Sequence, residues 1–108
     1  MAVTSVKEVF DGMPEAFNPS AAQGLDAVFQ FEITGEGGGS WSVAIKEGGC
    51  EITEGTHDAP TTTLTMAGET CLAWVNGELN GMQAFMSGKL KVSGDIMLAN
   101  RIPELFPF

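Results

Sequence analysis

A chain of 108 residues with 44% hydrophobic side chains and a mean hydropathy of +0.10 is expected to form one soluble globular domain, residues 1–108. Fourteen acidic against five basic residues give a formal net charge of −9, which argues against a nucleic-acid partner and against strong docking on anionic lipid. At most transient membrane contact is expected, and an uncharged or weakly charged apolar ligand stays compatible. No apolar run approaches the roughly 20 residues that span a bilayer, and Met1–Ser5 shows no basic-then-apolar leader pattern. Leu105-Phe106-Pro107-Phe108 is not a Ser-Lys-Leu peroxisomal address, so the expected location is cytoplasmic.

In chain order, Thr4 or Ser5 caps a helix from Val6 to about Met13, with Glu8 as the capping-box partner of Ser5. Val6, Val9, Phe10, Met13 and Phe17 keep the three-and-four spacing of one buried stripe, and Pro14 is placed to open a second turn. Ser20–Gly24 reads as a short turn. The period then changes to two. Ala27, Phe29, Phe31 and Ile33 alternate with Gln30, Glu32 and Thr34; Trp41, Val43 and Ile45 follow the same rule, as do Cys50 and Ile52, Leu64 and Met66, and Leu90 and Val92. Five strands with one apolar and one polar face predict a sheet covered on one side.

The Gly35–Gly39 and Glu47–Gly49 turns join the first three strands into a meander, and Gly55–Pro60 is a longer connection. Helices are predicted over Glu69–Asn76, with Cys71, Leu72 and Val75 inward, and from an Asn80 cap through Met86 to a Gly88 stop. Asp95 caps a last helix to about Ile102, interrupted by Pro103. Such helices cover the apolar face. Six methionines, seven phenylalanines and two tryptophans make that covering soft and bulky. These side chains either pack against one another or wall a cavity that accepts varied apolar shapes.

Few residues suggest chemistry. Cys50 and Cys71, one on a strand pattern and one on a helical pattern, are expected as reduced, buried small hydrophobes. His57, the only histidine, sits beside Asp58 in a loop, and sequence neighbours rarely face each other as a catalytic pair. A Cys50–His57 dyad would make a small hydrolase; a tetrahedral metal site lacks ligands. Gly35–Gly39 has no Gly-Lys-Ser/Thr ending and precedes a strand, so it is a hairpin and not a phosphate loop. Gln83 and Asn100 are polar groups beside apolar helix surfaces, where a ligand headgroup could meet them. No cofactor, metal or catalytic residue is predicted.

Three collinear blocks carry a resemblance: Phe31-Glu32-Ile33-Thr34-Gly35 with Trp41-Ser42-Val43, then Thr63–Met66 with Leu72–Leu79, then Ala84–Leu98 containing Ala-Phe-Met-Ser-Gly-Lys-Leu-Lys. They resemble the sterol carrier protein 2 family over nearly the whole chain. The resemblance implies an α/β (α+β) fold: a five-stranded, mostly antiparallel sheet covered on one face by helices that enclose an apolar tunnel. It also implies a non-catalytic carrier of fatty acids, fatty acyl-CoA, phospholipids or sterols, and the absent peroxisomal tripeptide implies a free-standing, bacterial-type member. Some members carry glutamines where this sequence has Met82 and Asn100, which implies a more apolar pocket. The implied lining is Trp41, Val75, Leu79, Met82, Phe85, Met86, Met97, Asn100, Ile102, Leu105 and Phe106, with the proline-flanked C-terminal group, Pro103 and Pro107 included, as a gate. The reading of another class is an accessory domain docking on, or presenting lipid to, a lipid-metabolising enzyme.

Overall fold

The computed structural model describes residues 5–35 and 37–106; the alternative cap Thr4 and the gate residue Pro107 lie outside the described residues. Ser5 caps α1 (Val6–Ala16), accepting from the Glu8 N–H at 3.3 Å, and Val6, Val9, Phe10 and Met13 form its buried stripe. The helix runs through Pro14 instead of restarting there. Pro14 is exposed and lies in the last turn, where its fixed φ suits the helix and only one backbone bond is lost. A short 3₁₀ turn (Pro19–Ala22), capped by Asn18, leads into the sheet.

The strands are β1 (Ala27–Thr34), β2 (Gly39–Lys46), β3 (Gly49–Glu54), β4 (Thr62–Ala67) and β5 (Leu90–Gly94), in the order β3-β2-β1-β4-β5. The first three form the expected meander, β4 pairs parallel to β1, and β5 pairs antiparallel to β4 at the edge. Alternation holds on the apolar face, where Phe29, Phe31, Ile33, Val43, Ile45, Leu64 and Met66 are all buried.

The α-helices among the described residues cover that face: α1, α2 (Gly68–Val75), α3 (Gly81–Met86), α4 (Ile96–Ala99) and α5 (Ile102–Leu105). Phe10 anchors α1, its ring stacked on Trp41 with centroids 4.4 Å apart and set edge-on to Phe31 at 5.4 Å. α3 begins with a full capping box: Asn80 Oδ1 accepts from the Gln83 N–H at 2.7 Å, and Gln83 Oε1 accepts from the Asn80 N–H at 3.2 Å. Gly94 ends β5 against the Thr61 carbonyl, which a Cβ there would meet at 2.6 Å, so only glycine turns the chain into α4 at this point.

The last helix differs from expectation. It breaks at Asn100–Arg101, before Pro103, and Pro103 sits in the first turn of α5, where its missing N–H has no helical partner to lose. Arg101 ties this junction down by donating from its guanidinium to the Ala21 carbonyl at 2.6 Å.

The polar face also holds a surprise. Gln30, expected to face solvent, is 2% exposed. The connection from β3 to β4 must cross β2 and β1, and Gln30 clamps it: its Oε1 accepts from the His57 N–H at 2.8 Å, and its Nε2 donates to the Gly55 carbonyl at 3.2 Å and to Glu32. Ser42, likewise buried, donates to the Thr53 carbonyl at 3.4 Å. Gln30→Ala is therefore expected to destabilise the protein by about 1–3 kcal/mol, because it leaves partly buried backbone groups without partners. Urea unfolding reads this as a lower midpoint; an unchanged midpoint would show that the crossover is held by other contacts.

Candidate functional site

Towards the β5 edge, the helices over the sheet are only one to two turns long, and they leave a cleft. Its floor is Leu90 and Val92 of β5; Gly81, Met82 and Phe85 of α3 form one wall, and Ile96 and Ala99 of α4 the other. Asn80, Asn100 and Pro103 stand at its ends and Trp74 of α2 at its back. The volume is about 430 Å³, inside the roughly 300–1,000 Å³ range of pockets that hold small organic ligands. Size alone does not single it out. A depression of about 400 Å³ lies between Ser5, Gly35 and Glu69, but much of its wall is glycine, serine, threonine and glutamate. What distinguishes the β5 cleft is a mostly apolar wall, with Asn80 and Asn100 its polar members.

Its rim is equally unusual. Among the described residues the large hydrophobic side chains left exposed are Met82, Phe85, Met86, Ile96 and Met97, all on α3 and α4. Met86 and Met97 are 79% and 75% exposed, which water opposes unless something else covers them.

The predicted lining residues separate into groups. Met82, Phe85 and Asn100 meet in the cleft. Met86 and Met97 share its helices but point past the walls, onto the exposed rim. Val75 and Ile102 border a second, much smaller apolar void of about 20 Å³ under α1, walled also by Phe10, Met13, Phe31 and Met66. Leu79 and Phe106 border a shallower depression beside Gln83. Trp41 and Leu105 belong to the packed core, Trp41 because Phe10 claims its ring face. Phe106 is also buried, its ring centroid 5.6 Å from that of Phe17. Gln83 spends its side-chain oxygen on the capping box. The apolar space is thus divided between a large cleft at the β5 edge and a small void under α1.

Trp74, Leu90, Val92, Ile96 and Ala99 were not singled out from sequence. Trp74 carried a signal, since it lies three residues after Cys71 on the inward stripe of α2. Ile96 and Ala99 gave none, because a four-residue helix has no period to read.

The candidate nucleophiles are far from activated. Burial pushes the Cys71 thiol up to about 11; Cys50, expected to be buried, is only half-buried on the edge strand β3, and that partial burial also raises its thiol, so both thiolates are suppressed. His57 Nδ1 accepts from the Ala59 N–H at 2.9 Å, so its ring shapes its own loop. No group of three His, Cys, Asp or Glu side chains capable of holding a metal occurs among the described residues. Nor is any helix among them long and apolar enough to cross a membrane.

With this geometry in place, the sequence profile of the SCP-2 sterol transfer family matches residues 6–107. The chain belongs to that family. It is 34% identical over 102 residues to hydroxysteroid dehydrogenase-like protein 2 of Rattus norvegicus, a match covering 94% of this chain and 20% of the relative. The chain therefore spans about a fifth of the length of that relative. The solution structure of palmitated SCP2L2 from Aedes aegypti superposes with a TM-score of 0.74 at 28% identity, covering 94% of this chain and 93% of that one. The sec-alkylsulfatase Pisa1 from Pseudomonas sp. contains the same fold, with a TM-score of 0.83 at 15% identity over 95% of this chain and 16% of that one. The SCP2 fold expected from sequence, a five-stranded, mostly antiparallel sheet covered by helices, is what the protein has.

Because Cys71 titrates near 11 in the folded protein against 9.0 ordinarily, folding holds its proton. Stability is then complete below about pH 9 and falls as pH rises towards 11, where the unfolded thiol ionises and the folded one does not. Thermal unfolding across that range should show a shallower decline for Cys71→Ala than for the parent chain. Identical slopes would mean that the thiol is accessible to water in the native state.

Proposed function

We propose that this protein is a non-catalytic lipid carrier that takes the acyl chain of a fatty acid, or of a related lipid such as a fatty acyl-CoA, into the β5 cleft. The observation that carries this reading is the coincidence of the apolar-walled cleft with the exposed hydrophobic side chains of α3 and α4. Burying an eight-carbon stretch is worth about 6 kcal/mol at best, before the cost of immobilising ligand and side chains. That suffices for useful affinity without an ion pair. Selectivity among apolar tails is broad, since such a pocket distinguishes one methylene only weakly.

Charge is compatible with a carboxylate headgroup at the mouth. Between Asn80 and Pro103 the chain carries three basic residues and one acid, Asp95; Lys91 lies on the far strand face and Arg101 is engaged with the Ala21 carbonyl, so Lys89 is the cation left for a headgroup. Asn100, exposed and lining the cleft, is the side chain best placed to hydrogen-bond a headgroup. The Aedes aegypti neighbour in its palmitated form supports the fatty-acid choice. The exposed methionines suit brief contact with a membrane during loading, and the carrier is read as a single domain acting in the cytoplasm.

A second reading has its own support. The rat relative carries the matched region as a fifth of a longer chain named for a dehydrogenase. On this reading the domain presents lipid to an enzyme, fused or docked, and the exposed rim of α3 and α4 is covered by that partner.

Native mass spectrometry of freshly purified protein, followed by organic extraction, tests the proposal. A bound mass that disappears on delipidation and returns with added fatty acid is expected. Phe85→Asp places a charge in the cleft wall and is expected to weaken fatty-acid binding at least about tenfold. Lys91→Ala, on the strand face turned away from Leu90 and Val92, leaves it unchanged. Full binding by a folded Phe85→Asp protein would remove the cleft as the site. A chain that takes up no lipid but pulls down one enzyme would favour the second reading.

A further inference from the structure

Trp74 is the one residue that borders both the outer cleft and the small void under α1. The strand register shows how close the two spaces are. Leu90, on the floor of the cleft, is the direct cross-strand partner of Met66, on the floor of the void. Their floors are therefore one strand spacing apart, about 4.8 Å, and Trp74 borders both.

The indole is fixed from the cleft side. α3 starts at Gly81, whose backbone lies against the ring, so that a Cβ there would come within 2.9 Å of Trp74 Cζ2 and 3.2 Å of Cη2. Any larger residue at position 81 would drive the ring out of place. On the other side the void is walled partly by Met13 and Met66, whose unbranched thioethers repack readily. Phe10 there is held by two aromatic contacts. One aromatic ring, backed by Gly81, thus borders both the cleft and a soft-walled space too small, at about 20 Å³, to receive a chain as it stands.

We propose that Trp74 is the specificity-determining partition of the site: it stops the ligand's tail in the outer cleft and so sets the length of acyl chain that the protein accommodates. This rests on the carrier reading above and adds to it a limit on the substrate. An acyl chain enters between α3 and α4 with its headgroup at the mouth. Methylenes short of the indole are buried, and those beyond the stopping length stay in water and add nothing.

The test is a series of saturated fatty acids of increasing length, with dissociation constants measured by titration calorimetry for the parent chain, Trp74→Ala and Trp74→Leu. In the parent, affinity should rise by up to about fourfold per methylene and then stop rising at a defined length. Both variants join the cleft to the void, so the gain should continue for about two or more further methylenes. The leucine variant guards against misfolding of the alanine one, and the fluorescence of Trp41 in the core reports folding of each. The same stopping length in folded variants and parent would overturn the partition while leaving the carrier intact. Absence of fatty-acid binding by the parent at every length would overturn the carrier reading itself, and the partition with it.

Discussion

The stacking of Phe10 on Trp41 is the contact on which the arrangement of this protein turns. It sets α1 over β1 and β2, closes the β2 side of the apolar face and consumes the largest aromatic ring the sheet presents. The remaining cover, over β4 and β5, falls to α2 and to three helices of four to six residues. Short helices bring side chains to the sheet without filling the space between them. The cleft is therefore a consequence of how unevenly the helical mass is distributed. The β2 side is packed by interlocking rings, and the β5 edge is roofed by methionines, one phenylalanine and small aliphatic side chains.

The same division runs through the energetics. On the α1 side, apolar area is removed from water by the protein alone, and the native state gains directly. On the α3–α4 side, apolar area remains exposed, and the protein forgoes that stabilisation. Apolar surface left in water around a concave apolar wall is what a ligand with a long hydrocarbon tail can exploit. The raised thiol pKa values argue against nucleophilic chemistry at the cysteines.

Much of the fold was legible because strand alternation is a local property. Ala27–Thr34 was read to the residue, and the glycines between strands marked the meander. The reading strained where a distant partner decides. Gln30 looks like a solvent-facing residue until the 55–60 crossover, which it clamps, is placed over it. Pro103 looks like a helix breaker, but in the first turn of α5 it is compatible with helix, and the break falls earlier. The site was legible to the same extent. Met82 and Phe85 stand out as bulky apolar residues on a short, well-capped helix. Trp41 is a lining candidate by type and face, and only the tertiary contact with Phe10 withdraws it. Trp74 is the mirror case: its period points inward, but nothing local reveals that it lies between two spaces.

Lipid entering beside α3 and α4 would leave the Phe10–Trp41 core untouched. The two tryptophans make this directly measurable. Two proteins, Trp41→Phe with Trp74 as sole fluorophore and Trp74→Phe with Trp41 as sole fluorophore, are titrated with a fatty acid brominated near its methyl end. Because bromine quenches at contact range, the account predicts strong quenching of Trp74 and little of Trp41. Quenching of Trp41 with Trp74 unaffected would place the ligand in the core and contradict the account.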